Sequence, residues 1–174
     1  MRIIAGKHKG RKLLTFQGDS IRPTSDKARE ALFAILANIN QKDFLDLCCG
    51  TGAIGLEAES RGAKVVMVDI SKDSIELCKK NAKTISSCAE IICSDAIKFL
   101  KNTNKKFDII FVDPPYMLDF GNELVKIVAE RNLLNENGVL IYEKDISQDY
   151  SFNNLKKFKE RKYGKNIFAF YGEE

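Results

Sequence analysis

No apolar run in the 174-residue chain comes near the ~20 residues that a membrane-spanning helix needs. The opening Met1-Arg2-Ile3-Ile4-Ala5-Gly6-Lys7 also lacks the apolar stretch of a secretory leader. A cytoplasmic protein with no membrane partner is therefore expected. The five cysteines are odd in number and include no CxxC pair, so they make neither a complete disulfide framework nor a zinc pattern. Reduced thiols follow, with Cys48-Cys49 read as small buried filler. His8 is the only histidine, which excludes a multi-histidine metal centre, and no metal is expected. The chain also lacks internal repeats, low-complexity segments and linkers.

What is present suits one folded unit. A hydrophobic content of 44%, with 11 Phe, is too apolar for a disordered tail. A chain of this size buries roughly 70% of its unfolded surface. A single domain over residues 1–174 is expected, made of a basic N-terminal hairpin arm at 1–21, a helix within 22–40 and a core at 41–174. The net charge of +4 is unevenly spread. Residues 1–29 carry eight Lys and Arg against two Asp, a local +6, so residues 30–174 carry −2. A basic arm on a near-neutral body favours a polyanionic partner, although such arms are often only solvated surface.

Ile3-Ile4 and Leu13-Leu14 flank the basic turn Gly6-Lys7-His8-Lys9-Gly10-Arg11-Lys12, the pattern of a short hairpin with a cationic tip. His8 reads as one more polar group there. After Arg22-Pro23, Thr24 or Ser25 can cap a helix whose apolar stripe is Ala28, Leu32, Ile35 and Leu36. From Phe44 onward, short apolar runs at 44–48, 64–69, 90–93, 107–112 and 139–143 alternate with helical stretches at 53–60, 72–84, 96–101 and 120–130. Runs apolar on both faces are those of buried parallel strands. The pattern predicts an α/β, Rossmann-like, mostly parallel twisted sheet with helices on both faces. Residues 155–163 and 165–171 flank Gly164 and predict a C-terminal antiparallel hairpin.

In such sheets ligands bind beyond the carboxyl ends of the strands. The first strand leads into Asp46-Leu47-Cys48-Cys49-Gly50-Thr51-Gly52-Ala53-Ile54-Gly55, which contains G-x-G-x-x-G, with Asp69 19 residues after Gly50. A dinucleotide fits that pattern formally. Asp46, however, sets a carboxylate where a pyrophosphate would lie. S-adenosylmethionine has no phosphate and carries ammonium and sulfonium cations, so it suits Asp46 better. Gly50 and Gly52 would let the backbone approach the ligand. Asp69, followed by Ile70, is placed for the ribose hydroxyls. Asp95, followed by Ala96, is placed for the adenine amine, or simply caps the next helix.

The most specific segment is Asp113-Pro114-Pro115-Tyr116, at the end of the fourth strand. Prolines donate no backbone hydrogen bond. Asp113 and the Pro114 carbonyl can accept both hydrogens of an exocyclic base amine, while Tyr116 stacks on the base. The bland alternative is a strand terminator.

With RIIAGKHKGRKL at 2–13, RPTSDKAREALF at 22–33, the turn running into Leu56-Glu57-Ala58, and DPPY at 113–116, the chain resembles the RsmD family. Those are the bacterial 16S ribosomal RNA guanine-N2 methyltransferases. Cys48-Cys49 stands where the family more often has an aromatic residue and an alanine, a change expected to alter packing more than chemistry. The resemblance implies S-adenosylmethionine bound by Asp46, Cys48, Gly50, Gly52, Asp69, Ile70, Asp95 and Ala96, with Thr24 and Arg29 ordering a lid over it. Arg29 could equally be a helix-surface charge. It implies catalysis at 113–116 without metal, and 16S ribosomal RNA or a small-subunit assembly particle held by Lys7, His8, Lys9, Arg11, Lys12 and Arg22. A monomer is expected. A DNA adenine methyltransferase would share DPPY, but the chain has no length for a target-recognition domain. A non-catalytic RNA-binding protein is disfavoured by intact Asp46, Gly50, Gly52 and Asp113. A small-molecule methyltransferase would leave the arm without a role.

Overall fold

The structure, a computed structural model, describes residues 1–16, 25–114, 120–144 and 155–173. The strands are β1 Asp43–Leu47, β2 Lys64–Asp69, β3 Glu90–Cys93, β4 Phe107–Val112, β5 Leu134–Lys144, β6 Leu155–Tyr163 and β7 Asn166–Glu173. The helices are α1 Asp26–Leu36, α2 Ala53–Ser60, α3 Lys72–Thr84, α4 Ala96–Asn102 and α5 Phe120–Glu130. All seven strands form one sheet in the order β3-β2-β1-β4-β5-β7-β6. The first five run parallel, β7 pairs antiparallel with β5, and β6 pairs antiparallel with β7. This is the Rossmann-like α/β fold.

Strand alternation divides the interior into two cores. Phe44, Val65, Met67, Ile109 and Phe111 face one side, where α1, α2 and α3 bury Leu32, Phe33, Ile54, Leu56, Ile75 and Cys78 against them. Leu45, Val66, Val68, Ile110 and Val112 face the other, covered by Leu100 of α4 and Leu124, Val125 and Val128 of α5. With helices on both faces, nearly every position of these strands must be apolar. The chain order reverses at β1, which lies between β2 and β4. The carboxyl ends of β1 and β4 therefore border the crevice where such sheets bind ligands.

Several boundaries differ from the sequence reading. The first helix, expected within 22–40 with Thr24 or Ser25 as its cap, runs from Asp26 to Leu36. Ser25 caps it by accepting from the Ala28 N–H at 3.2 Å, and it stops at Ala37, whose φ is +54°. Its buried face is Ala28, Arg29, Leu32 and Phe33, with Ile35 and Leu36 only partly covered. Strand β5 starts at Leu134 rather than 139, because Phe107 pairs with Leu134 before the register shifts ahead of Ile109 and Val139. The polar stretch Asn135-Glu136-Asn137-Gly138 hid that start.

The N-terminal hairpin forms, with an antiparallel bridge between Arg2 and Lys12 and an Ile3 N–H to Arg11 carbonyl bond of 2.9 Å. It is fastened down along its length. The buried carboxylate of Glu57 accepts the N–H groups of Ile4 and Ala5 at 2.7 and 3.0 Å. Ser60 Oγ accepts from His8 N–H at 3.0 Å, and Asn81 holds both backbone groups of Leu14. Ile3 and Leu13 enter the core. His8 is thus not a plain member of the exposed tip, since its Nε2 is buried and has no hydrogen-bond partner among the described residues.

Candidate active site

Four of the five parallel strands deliver a carboxylate at or just beyond their carboxyl ends, and a fifth acid comes from the last of them. Asp46 is the penultimate residue of β1, Asp69 the last of β2, Asp95 follows β3, Asp113 follows β4, and Glu143 lies on β5. Acids also stand at the opposite ends of these strands, as Asp43, Glu90 and Asp108 do, but these five gather where the strands' carboxyl ends border one crevice.

Asp46 lies beneath the turn that joins β1 to α2. It is fully buried, and its Oδ2 accepts the Gly55 N–H in the first turn of α2 at 2.9 Å. The carboxylate thereby occupies the positive end of that helix, the place a pyrophosphate would take. Burial pushes its pKa up to about 8, the Gly55 N–H opposing and the Asp69 charge adding to the rise. Asp69 stitches the second strand to the same turn. Its Oδ2 accepts from Gly50 N–H and its Oδ1 from Ser71 N–H, both at 2.8 Å. Ile70, next to it, is 69% exposed. An apolar side chain left in water beside a carboxylate suits a ligand with a flat face and adjacent hydroxyls.

The glycines divide by environment. A Cβ on Gly50, with φ +53°, would meet nothing within 4 Å, so the turn is open above it. A Cβ on Gly52, with φ +78°, would lie 2.6 Å from Cys78 Sγ. One on Gly55 would lie 2.6 Å from the Met67 side chain. Gly52 and Gly55 are therefore required by the packing of α2 on β2 and α3, and only Gly50 faces free space.

Asp95 caps α4 by accepting from Lys98 N–H at 2.8 Å, and Ala96 is buried behind it. Asp113 continues the β1–β4 pairing through a 3.4 Å bond from its N–H to the Leu47 carbonyl, and Pro114 after it is buried. Burial holds the Asp113 carboxyl well above the usual range, with the charges of Glu143 and Asp46 adding to the effect. Glu143 was missed in the sequence. It is buried and accepts from Asn166 Nδ2. The signal was there: Glu143 closes an apolar run as Asp69 and Asp113 do. Cys48, with φ +59°, stands among the carboxylates. Burial first, then Asp69, Asp113, Asp46 and Asp95, push its thiol pKa upward.

Among the described residues, no Lys or Arg pairs with Asp46, Asp69, Asp95 or Asp113. Nor do any described residues group into a metal site. Crowded acids without a protein cation fit an organic cation such as a sulfonium with an ammonium, and the open turn at Gly50 leaves room for it.

Arg29 is not a helix-surface charge. It is completely buried, and its Nη2 donates to the Arg2 carbonyl at 2.6 Å and to Asp26 Oδ1 at 2.8 Å, tying α1 to the hairpin. Lys9, Arg11 and Lys12 are exposed, while Lys7 lies 3.8 Å from Glu59. Arg22, Thr24, Pro115 and Tyr116 lie outside the described residues.

A family profile described as "Conserved hypothetical protein 95" matches residues 1–172. "Ribosomal RNA small subunit methyltransferase D" of Haemophilus influenzae is 35% identical over 150 residues, covering 82% of this chain and 78% of that protein. The chain belongs to the RsmD family. The Escherichia coli member of the same name is 34% identical, covering 84% of this chain and 75% of that one. Among solved structures, the Escherichia coli protein yhhF superposes with a TM-score of 0.89 at 28% identity, covering 100% of this chain and 98% of that one. A Thermus thermophilus 16S rRNA N2 G1207 methyltransferase, RsmC, in complex with AdoMet and guanosine, has the same fold. Its TM-score is 0.71 at 23% identity, over 91% of this chain and 45% of that one. Among the described residues no helix is long and apolar enough to cross a membrane.

Proposed function

We propose that this protein methylates the exocyclic N2 amine of a guanine in 16S ribosomal RNA, using S-adenosylmethionine, as a cytoplasmic monomer. The observation that carries this reading is the set of carboxylates at the carboxyl ends of β1 to β4, with no Lys or Arg partner among the described residues, in a chain of the RsmD family. S-adenosylmethionine supplies a methyl group carried on a cationic sulfur.

Asp46 and the open turn at Gly50 accommodate the methionine end, with Cys48 and Gly52 shaping the floor. Asp69 takes the ribose hydroxyls, Ile70 covers the adenine face, and Asp95 with Ala96 meets its amino edge. Asp113 and the Pro114 carbonyl accept the two hydrogens of the target amine. This fixes the nitrogen and turns its lone pair toward the methyl carbon, while Pro115 and Tyr116 hold the base. Transfer of the methyl group from the cofactor's sulfur would leave the amine cationic. It would then lose a proton readily to Asp113 in its ionised form or to solvent, so no strong base is needed. Positioning and exclusion of water provide most of the acceleration. Lys7, Lys9, Arg11 and Lys12, with Arg22, hold RNA phosphates, and Thr24 helps order the cofactor lid, while His8 and Arg29, packed against the body of the protein, support the hairpin.

The test is incubation with methyl-labelled S-adenosylmethionine and either naked 16S ribosomal RNA or small subunits from cells lacking the enzyme, followed by mass spectrometry of the nucleosides. Labelled N2-methylguanosine is expected. Labelled N6-methyladenosine, or no label in RNA, would overturn the reading.

A further inference from the structure

The −2 carried by residues 30–174 conceals a second basic segment. Residues 156–165 hold six Lys and Arg against one Glu, while residues 30–154 hold 14 against 19 Asp and Glu. The basic segment is β6, the outermost strand of the sheet, together with its turn into β7.

Register places this edge relative to the carboxylates. Val112 pairs with Tyr142, so Asp113 is level with Glu143, which pairs with Phe168, which pairs with Arg161. Arg161 thus lies three strand spacings from the Asp113 row, about 14 Å. Lys162 and Lys165 flank the same turn, at the same end of the sheet, and all three are exposed.

Further along the strand, the register shifts between Lys157 and Lys159. The extra residue is Phe158, and such bulges re-aim side chains at sheet edges. Its ring is 64% exposed, lies 3.2 Å from where a Cβ on Gly172 would stand, and is 6.4 Å from the Phe170 ring. Lys159 Nζ lies 5.8 Å from the centre of that Phe170 ring. A bare aromatic face beside lysines has the composition of a stacking platform in an electrostatic groove. The strand's odd positions after the bulge face the same side of the sheet as α1 and the N-terminal arm, since Tyr163 packs against their shared core.

We propose that the exposed edge of β6, from Phe158 to Lys165, is a second RNA-binding surface. It holds phosphates beside the target nucleotide and stacks an unpaired base on Phe158. This rests on the reading of the protein as an RNA methyltransferase. The competing role for lysines on an edge strand is to prevent edge-to-edge association. Glutamate serves that role as well as lysine but repels phosphate, so charge reversal separates the two.

The experiment compares the wild-type chain with Arg161→Glu/Lys162→Glu/Lys165→Glu, the corresponding triple Gln variant and Phe158→Ala. It measures apparent KM for 16S ribosomal RNA, kcat, S-adenosylmethionine affinity and sedimentation. The Glu triple should raise KM about tenfold or more, with cofactor affinity within about twofold of wild type. The Gln triple should lower the slope of log affinity against log salt by about two, the value for three single-strand phosphate contacts. Phe158→Ala should raise KM about tenfold. An unchanged KM in the Glu triple, with wild-type methylation intact, overturns this inference alone, as does a change confined to self-association. A wild-type chain that methylates no ribosomal RNA overturns the proposed function and this inference with it.

Discussion

The carboxyl end of the sheet and the N-terminal arm carry opposite charge and are built in opposite ways. Asp46 is fully buried and held by the Gly55 N–H, and Asp113 is half-buried at the end of β4, so burial raises the pKa of both. Lys9, Arg11 and Lys12 stand in solvent on a hairpin whose backbone, not its side chains, is pinned by Glu57, Ser60 and Asn81. A small cation that must be oriented to within a fraction of an ångström calls for buried, fixed acids. A polyanion with many equivalent phosphates can be held by exposed, mobile cations.

The comparison can be broken most forcefully at Asp113. Asp113→Ala should lower turnover by about 10²–10⁴-fold while S-adenosylmethionine still binds. Wild-type-like turnover, measured by methyl transfer under single-turnover conditions, would remove Asp113 from the chemistry.

The glycine turn sharpens the comparison within the acidic end. Gly52→Ala should cost about 3 kcal/mol of stability, because it combines a left-handed backbone with a clash against Cys78. Gly50→Ala should cost about 1 kcal/mol, yet weaken cofactor binding, because its new methyl group enters the open side of the turn. Denaturant titration and calorimetry on the two variants should give opposite rankings. Equal stability losses would mean that the turn has no open side.

A smaller effect concerns pH. Asp46 binds a proton in the folded chain up to about pH 8 but would lose it near 3.8 when unfolded. The stability it contributes is therefore complete below pH 3.8 and lost as the pH rises toward 8, by up to a few kcal/mol. Asp113, raised for the same reason, acts in the same direction. Asp46→Asn should flatten the decline in chemical-denaturation stability measured from pH 4 to 8. A cationic ligand favours the ionised form, so cofactor affinity should climb over the same range. An unchanged slope in the variant would place the titration elsewhere.

Much of this was legible in the sequence because the relevant physics is local. Strands covered on both faces must be apolar along their length, which set β2 and β4 to the residue. Acids terminating apolar runs marked Asp69 and Asp113. What escaped depends on contacts between distant segments. Arg29 reads as a surface charge until the hairpin of residues 2–12 closes over it. His8 reads as a polar tip until α2 comes against it. Gly52 looks like a ligand-facing glycine, and only Cys78 and Met67, one helix and one strand away, reveal its packing role. The basic edge at β6 was hidden by a net charge summed over the acidic core.

The separation of roles between acids and cations is tested most directly by a crossed measurement. S-adenosylmethionine affinity by calorimetry and apparent KM for 16S ribosomal RNA are taken on Asp69→Asn and on Lys9→Glu/Arg11→Glu/Lys12→Glu. The account predicts that Asp69→Asn weakens cofactor binding roughly 10- to 100-fold, the scale of hydrogen bonds to a charged group, and leaves RNA binding intact, while the arm variant does the reverse. Parallel losses of both affinities in either variant would contradict it.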